Sequence, residues 1–232
     1  MNKTIHAIWL GKKMTPLSFA CVDDWQKQGY TMRLWTEQDI EIVHWIEGCE
    51  FAKACFQRGL YAFVTDYLRL KILQQHGGLY LDTDVTIQRD PFPLFENCTF
   101  SVGYEDKKHL GTAIIYSEKD SLILNALIGF YESEIFRSPL YMGPGIMTEF
   151  VINRGWKEKE NARLYPSDYF YCYHGEAFSF NKPESSHLIH WFQHSWKDPK
   201  KEVFLKSKHL GLLGKFYVWQ KAVFRFKHNK SK

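Results

Sequence analysis

One block, Leu60 to Asp84, constrains the fold more than any other part of this chain. Leu60, Phe63, Val64, Tyr67, Leu68 and Ile72 recur at spacings of three and four, the period of a helix with a buried stripe. Gly77-Gly78 stops that helix, because glycine adopts backbone conformations that side chains resist. Leu79-Tyr80-Leu81 follows at once and reads as a short buried strand, ending at Asp82-Thr83-Asp84.

The flanking chain continues the alternation. Thr4 to Leu10 reads as a first buried strand closed by Gly11. Thr15-Pro16 reads as a cap with proline at the first helical position, opening a helix that runs to about Gly29. Tyr30 to Trp35 is a second strand, and Thr36 caps a helix beginning at Glu37. Further strands are expected at 99–103, 112–116 and 187–192, with helices near 120–131 and 145–153. This order predicts an α/β layered fold with a largely parallel central sheet. The chain's 232 residues support one sizeable domain, placed at 1–196, and no repeat or linker divides it. A tail, 197–232, follows.

The chemistry centres on the acids of this block. Asp66 and Arg69 stand three apart on the helix and share a face. Asp82 and Asp84, just past a buried strand, can both reach one divalent cation if the backbone turns there. Carboxylate oxygens suit Mg²⁺ or Mn²⁺, with substrate phosphates completing the shell. Ligands of open α/β sheets sit beyond the carboxyl ends of the strands, where this pair falls. The cation would act as a Lewis acid on a departing diphosphate. An isolated Asp-x-Asp is more often a solvated turn, so its surroundings matter.

Those surroundings resemble a known family. Thr65-Asp66-Tyr67-Leu68-Arg69 followed by Gly77-Gly78-Leu79-Tyr80-Leu81-Asp82-Thr83-Asp84 is similar to the signature of DXD-containing sugar-transferase family 32. That family includes bacterial capsule and O-antigen enzymes and yeast outer-chain mannosyltransferases. The block also resembles the catalytic domains of the large clostridial toxin glucosyltransferases. Ile5 to Gly11 resembles the family's opening strand, Gly143-Pro144 a recurrent turn near the acceptor side, and His190 to Trp196 its closing His…Ser-Trp element.

The resemblance implies a GT-A type, Rossmann-like nucleotide-sugar-binding fold with a mixed, mainly parallel sheet. It implies Mn²⁺ or Mg²⁺ and retaining transfer of a hexose or N-acetylhexosamine from a nucleotide sugar. Uridine diphosphate is the expected nucleotide, with guanosine diphosphate open, and the acceptor is a glycan or lipid-linked saccharide of bacterial surface polysaccharide synthesis. By matching position, Asp82, Asp84, Asp66 and Arg69 are the catalytic set. Trp9, Thr65, Asp66, Arg69, Asp82, Thr83, Ser195 and Trp196 bind the donor, with Trp9 stacking on the base. Asp84, Asp82 and His190 hold the metal, and His194 is a weaker candidate. No acid stands out as a nucleophile: Glu105, Asp106 and Glu149 are open to that role but read rather as surface or capping acids. The resemblance itself implies front-face transfer assisted by the leaving phosphate.

The charge is uneven. The tail from Lys197 holds eleven Lys or Arg against two acids, a net of +9, leaving 19 basic and 24 acidic residues, a net of −5, in the first 196. Within it Leu212, Phe216, Trp219, Val223 and Phe226 keep helical spacing beside Lys215, Lys221, Arg225 and Lys227. A basic amphipathic helix of this kind can lie on an anionic membrane; docking on the domain's own core is the alternative. Nucleic acid is not expected, since no binding motif accompanies the charge. Five cysteines, odd in number and without zinc-site pairs, fit free thiols. With no signal-like start or spanning run, a cytoplasmic protein is expected, peripheral at the inner face of the plasma membrane through the tail.

Two rivals remain. Asp82-Thr83-Asp84-Val85-Thr86 also fits the Asp-x-Asp-x-Thr opening of haloacid-dehalogenase phosphatases, which would leave Asp66 and Arg69 without a role. A carbohydrate- or membrane-binding module without catalysis is the other.

Overall fold

The computed structural model describes residues 1–11, 13–175, 180–193 and 202–228. In chain order the first elements are β1 (Ile5–Ile8), α1 (Pro16–Lys27), β2 (Met32–Trp35), α2 (Ile40–Gly48), α3 (Glu50–Gln57), α4 (Tyr61–His76), β3 (Gly78–Leu81) and β4 (Val85–Ile87). Then come β5 (Phe100–Tyr104), β6 (Leu110–Ser117), α5 (Leu122–Gly129), α6 (Gly143–Thr148), β7 (Ala162–Tyr165), α7 (Ser167–Phe170), β8 (Leu188–His190), α8 (Glu202–Ser207) and α9 (Gly211–His228).

Six strands form the central sheet in the order β2-β1-β3-β6-β5-β7. The pairs β2–β1, β1–β3 and β5–β7 are parallel, and β6 runs against both its neighbours. The sheet is mixed and mainly parallel, as expected. Consequently the C-terminal ends of β1, β3, β5 and β7 lie at one edge, together with the start of β6.

Alternation along the strands builds two cores. Tyr80, Ile115, Phe100 and Val102 face a core shared with α2 to α6. Leu79, Leu81, Ile114 and Tyr116 face the other, shared with α1, α7 and a two-stranded sheet of β4 and β8. Apolar residues on both faces explain why the strands read as unbroken runs. The five cysteines are buried and unbridged.

The Gly-Gly stop is steric. Gly77 and Gly78 have φ of 64° and 108°, and a Cβ on Gly78 would lie 2.5 Å from the Thr4 carbonyl oxygen. This close approach brings the end of α4 against β1 and starts β3 in register beside it. Buried His6 secures the same junction. The Trp35 indole N–H donates to His6 Nδ1 at 3.2 Å, and indole nitrogen only donates. The proton therefore sits on Nε2, which lies 3.0 Å from the Gly77 carbonyl oxygen.

Local expectations were met unevenly. Thr15 caps α1, accepting from the Ser18 N–H, with Pro16 at the first position. Thr36 does not cap α2, which starts at Ile40. Instead Asp39 accepts from the Thr36 N–H at 2.7 Å, because a carboxylate that also pairs with Arg33 closes this turn from the other side. The strand read at 187–192 is Leu188–His190 and joins β4 rather than the central sheet. Helix α3 and strands β4 and β7 were not foreseen.

The tail is partly built into the domain. Leu205 of α8 belongs to the main core, and the Lys208 ammonium donates to the carbonyls of Ile135 and Ser138.

Burial lowers the His6 pKa from 6.5 to about 4, the bond to Gly77 opposing and the nearby His76 and Arg33 reinforcing it. Its contribution to stability is thus intact above pH 6.5 and lost as pH falls toward 4, about 3 kcal/mol in all. Urea midpoints should fall more steeply over this window in the native chain than in His6→Asn. Equal slopes would show that His6 does not carry the effect.

Candidate active site

Both aspartates of the Asp-x-Asp follow β3 in a tight turn, where the Val85 N–H donates to the Asp82 carbonyl at 3.1 Å. The Asp82 N–H donates to Ala113 of β6, so the turn begins on the sheet itself. From the other side α1 fixes β4: the Trp25 indole donates to the Val85 carbonyl at 3.0 Å. Thr83 is buried, and its hydroxyl donates to Ser18 Oγ, which fastens the turn to α1.

The β4–β8 ladder places Val85 opposite His190, and this pairing delivers the histidine to Asp84. His190 Nε2 lies 3.3 Å from Asp84 Oδ1. The next residues wrap the same aspartate: the Trp191 N–H donates to its carbonyl and the Gln193 N–H to Oδ2 at 2.9 Å. Burial pushes the Asp84 carboxyl up, but the bond to and charge of His190 and the N–H of Gln193 outweigh it and hold it below the usual range.

Asp82 belongs to a second chain of contacts. The Tyr80 hydroxyl donates to its Oδ1 at 2.7 Å, and Arg69 Nη2 lies 3.5 Å from the same oxygen. Arg69 also pairs with Asp66 at 3.1 Å and donates to the carbonyls of Thr65 and Thr112. Thr65 Oγ1 accepts from Arg69 Nη2 at 3.2 Å. Burial pushes Asp66 up to about 6, although Arg69 opposes it, because Asp82 adds repulsion and shares the guanidinium. Gly143, at the start of α6, approaches so closely that a Cβ would sit 2.6 Å from Asp66 Oδ1.

Ligand atoms of Asp82, Asp84 and His190 all lie within 4.8 Å of one another. The separation of Asp84 and His190 is close to the roughly 3 Å between adjacent ligands of an octahedral ion with ~2.1 Å bonds. Asp66, Asp82 and Asp84 meet here with the guanidinium of Arg69, an excess of negative charge that a divalent cation would neutralise. The residues fit a hard divalent ion.

Of the other sequence candidates, Trp9 stands at the end of β1, its N–H donating to the Trp35 carbonyl. It shares the edge with Asp82 but lies one strand away. Ser195, Trp196 and His194 lie outside the described residues. Asp106 accepts from the backbone of Lys108 and His109 in the β5–β6 turn, and Glu149 pairs with Arg154. Glu105 differs from both: half-buried at the end of β5, it is pushed up to about 7 by burial, with His190 opposing. Its surroundings come from three distant segments, so its local sequence could not reveal them. Gln193, whose Oε1 accepts from the hydroxyls of Thr15 and Ser18, also went unnoticed.

The sheet edge thus carries an Asp-x-Asp turn, closed by a histidine and braced by a buried Asp–Arg pair. Residues 21–101 match the family described as glycosyltransferase sugar-binding region containing DXD motif; the chain carries that region, from within α1 into β5. Among curated proteins it is similar to Subversion of eukaryotic traffic protein A of Legionella pneumophila, with 28% identity over 40% of this chain and 18% of the relative. The match thus spans less than a fifth of that protein's length. Among solved structures, a glycosyltransferase involved in the glycosylation of the major capsid of PBCV-1 shares the fold. Its TM-score is 0.52 at 14% identity, over 82% of this chain and 94% of the other. PaToxG Glycosyltransferase aligns over 66% of this chain and 69% of its own, with a TM-score of 0.49 and 16% identity.

Saturating Mn²⁺, at about a hundredfold over its dissociation constant, should stabilise the native chain by about 2.7 kcal/mol. Thermal unfolding with and without Mn²⁺ should show this rise in the native protein and lose it in Asp84→Asn and His190→Ala. An undiminished rise in both variants would place the ion elsewhere.

Proposed function

We propose that this chain is a retaining, divalent-metal-dependent glycosyltransferase that moves a hexose or N-acetylhexosamine from a uridine diphosphate sugar to a glycan or lipid-linked acceptor. Bacterial surface polysaccharide synthesis is the setting that the family resemblance favours. The observation that carries the reading is the convergence of Asp82, Asp84 and His190 beside the buried Asp66–Arg69 pair, at the carboxyl edge of the sheet.

A cation held by Asp84, Asp82 and His190 would supply positive charge to the departing diphosphate. Arg69, kept charged by Asp82, Tyr80 and Asp66 despite its burial, holds Asp82 in place through Oδ1, so that this carboxylate would be positioned to help hold a cation. Asp66, packed under Gly143, faces the donor sugar in this reading. The domain 1–196 supplies catalysis, and Trp9, Thr65, Thr83, Ser195 and Trp196 complete the donor site. A phosphatase reading would use Asp82 as a nucleophile, and the bond from Tyr80 and the pair with Arg69 disfavour that. A binding module without turnover would not need the cation cluster.

The tail, 197–232, brings the enzyme to the cytoplasmic face of an anionic membrane. Leu212 and Leu213 are 82% and 74% exposed and Phe216 and Trp219 both 59%, so these residues do not dock on the domain. Side chains beyond Gln220 lie outside the described residues, and no described helix is long and apolar enough to cross a membrane. Exposed apolar rings on a strongly basic segment favour lying on lipid rather than passing through it.

Purified protein with Mn²⁺ should hydrolyse one uridine diphosphate sugar slowly, and Asp84→Ala should lose at least about a hundredfold of this rate. Failure of every uridine and guanosine donor to bind by calorimetry would end the transferase reading. Separately, the chain should sediment with phosphatidylglycerol vesicles at low salt. Phe216→Ser with Trp219→Ser should abolish this, and so should a few hundred millimolar salt, on the order of the screening that removes surface attraction. Salt-insensitive or unaltered sedimentation would count against membrane docking.

A further inference from the structure

The edge that carries the cation cluster continues past it. Beyond the ends of β5 and β7 lies a cleft of about 550 Å³ lined by Tyr104, Asp106, Lys107, Leu164, Pro166 and His174. Gly103 pairs with Tyr165, so Tyr104 and Pro166 are the next residues outward on the two strands. Tyr104 and Leu164 pack on the main core from beneath, which makes the floor apolar and partly aromatic. Asp106, Lys107 and His174 are exposed at the rim.

Strand order sets where this cleft stands relative to the donor. Trp9 ends β1, the Asp-x-Asp ends β3, and Tyr104 ends β5, with β6 between the last two. Two strand spacings, about 10 Å, separate β3 from β5, leaving room for a donor sugar between the cation cluster and the cleft. A nucleotide that reaches toward Trp9 occupies the opposite side of β3. Glu105 follows Tyr104 and precedes Asp106 of the cleft, and it interacts electrostatically with His190 and Asp66.

The lining selects a ligand class. An aromatic floor offers a face for the C–H surface of a sugar ring, and a rim of a carboxylate, an ammonium and an imidazole offers partners for hydroxyls. Among the described residues Lys107 is the single Lys or Arg of the lining, so a phosphate-bearing ligand is a poorer match than a neutral one.

We infer that this cleft receives the acceptor saccharide, its ring on Tyr104 and its hydroxyls on Lys107, Asp106 and His174. The inference rests on the transferase reading, and the two can fail separately. The test uses saturation-transfer nuclear magnetic resonance on the full chain with uridine diphosphate and Mn²⁺ present, so that the nucleotide part of the donor site is filled. The probes are methyl glycosides of glucose, galactose, mannose and N-acetylglucosamine. At least one should take up saturation from the native protein, and the effect should drop by about fivefold or more in Tyr104→Ala and in Lys107→Ala. Lys107 is exposed, so its variant tests the cleft without risk to folding. No transfer to any glycoside from the native chain, or undiminished transfer from both variants, overturns the assignment. Calorimetric binding of uridine diphosphate with Mn²⁺ in the same samples reports on the donor site alone, and its absence would sink the transferase reading instead.

Discussion

Arg69 carries a full positive charge sealed inside the domain, and it can do so only because two carboxylates and two backbone carbonyls meet it there. Stranding a buried charge by removing its partner typically costs about 3–5 kcal/mol, so each group in this cluster fixes the positions of the others. Asp66 comes from the same helix, Asp82 from the turn after β3, and the Thr112 carbonyl from β6. A single guanidinium therefore ties the central helix, the cation turn and the antiparallel strand into one frame. Because its partners leave it little freedom, Asp82 Oδ1 is held before any substrate arrives, the kind of preorganisation that electrostatic catalysis exploits.

The remaining architecture serves that frame from two sides. Helices α2, α3 and α5 and the sheet bury α4 so thoroughly that a charged residue on its inner face must be paired internally. On the other side, α1 and the β4–β8 ribbon clamp the turn through Trp25, Thr83 and the backbone of residues 191–193. Asp82 is thus governed by the layer above the sheet and Asp84 by the layer below. The two aspartates differ in environment although only one residue separates them.

Much of this was legible in the sequence, and the reason is periodicity. The stripe on α4, the glycine pair and the short apolar run of β3 each carry a strong local signal, and Asp82, Asp84, Asp66 and Arg69 sit at fixed offsets from them. What escaped notice is made by partners far away. Val85-Thr86-Ile87 is three residues long and is a strand only because Leu188–His190 lies beside it. Ala162–Tyr165 is an edge strand with mixed polarity and no clear alternation of burial. Helix α3 begins without a side-chain cap, so nothing at Cys49 announces it. Thr36 looked like a cap because threonine favours that position, yet Asp39 closes the turn and the helix starts later. Glu105 read as a surface acid, since neither its burial nor the charges that reach it from α4 and β8 are written in its local sequence.

The pairing of β4 with β8 bears on how the protein is made. Asp84 and the residues that embrace it, His190 to Gln193, are more than a hundred positions apart. During synthesis, β1 to β6 and both aspartates emerge while their histidine is still unmade, and contacts of such long sequence separation form late. The Asp84 side of this contact is thus made well before the segment that meets it. Closing the ribbon is therefore what brings His190 to Asp84, and it waits on the C-terminal segment.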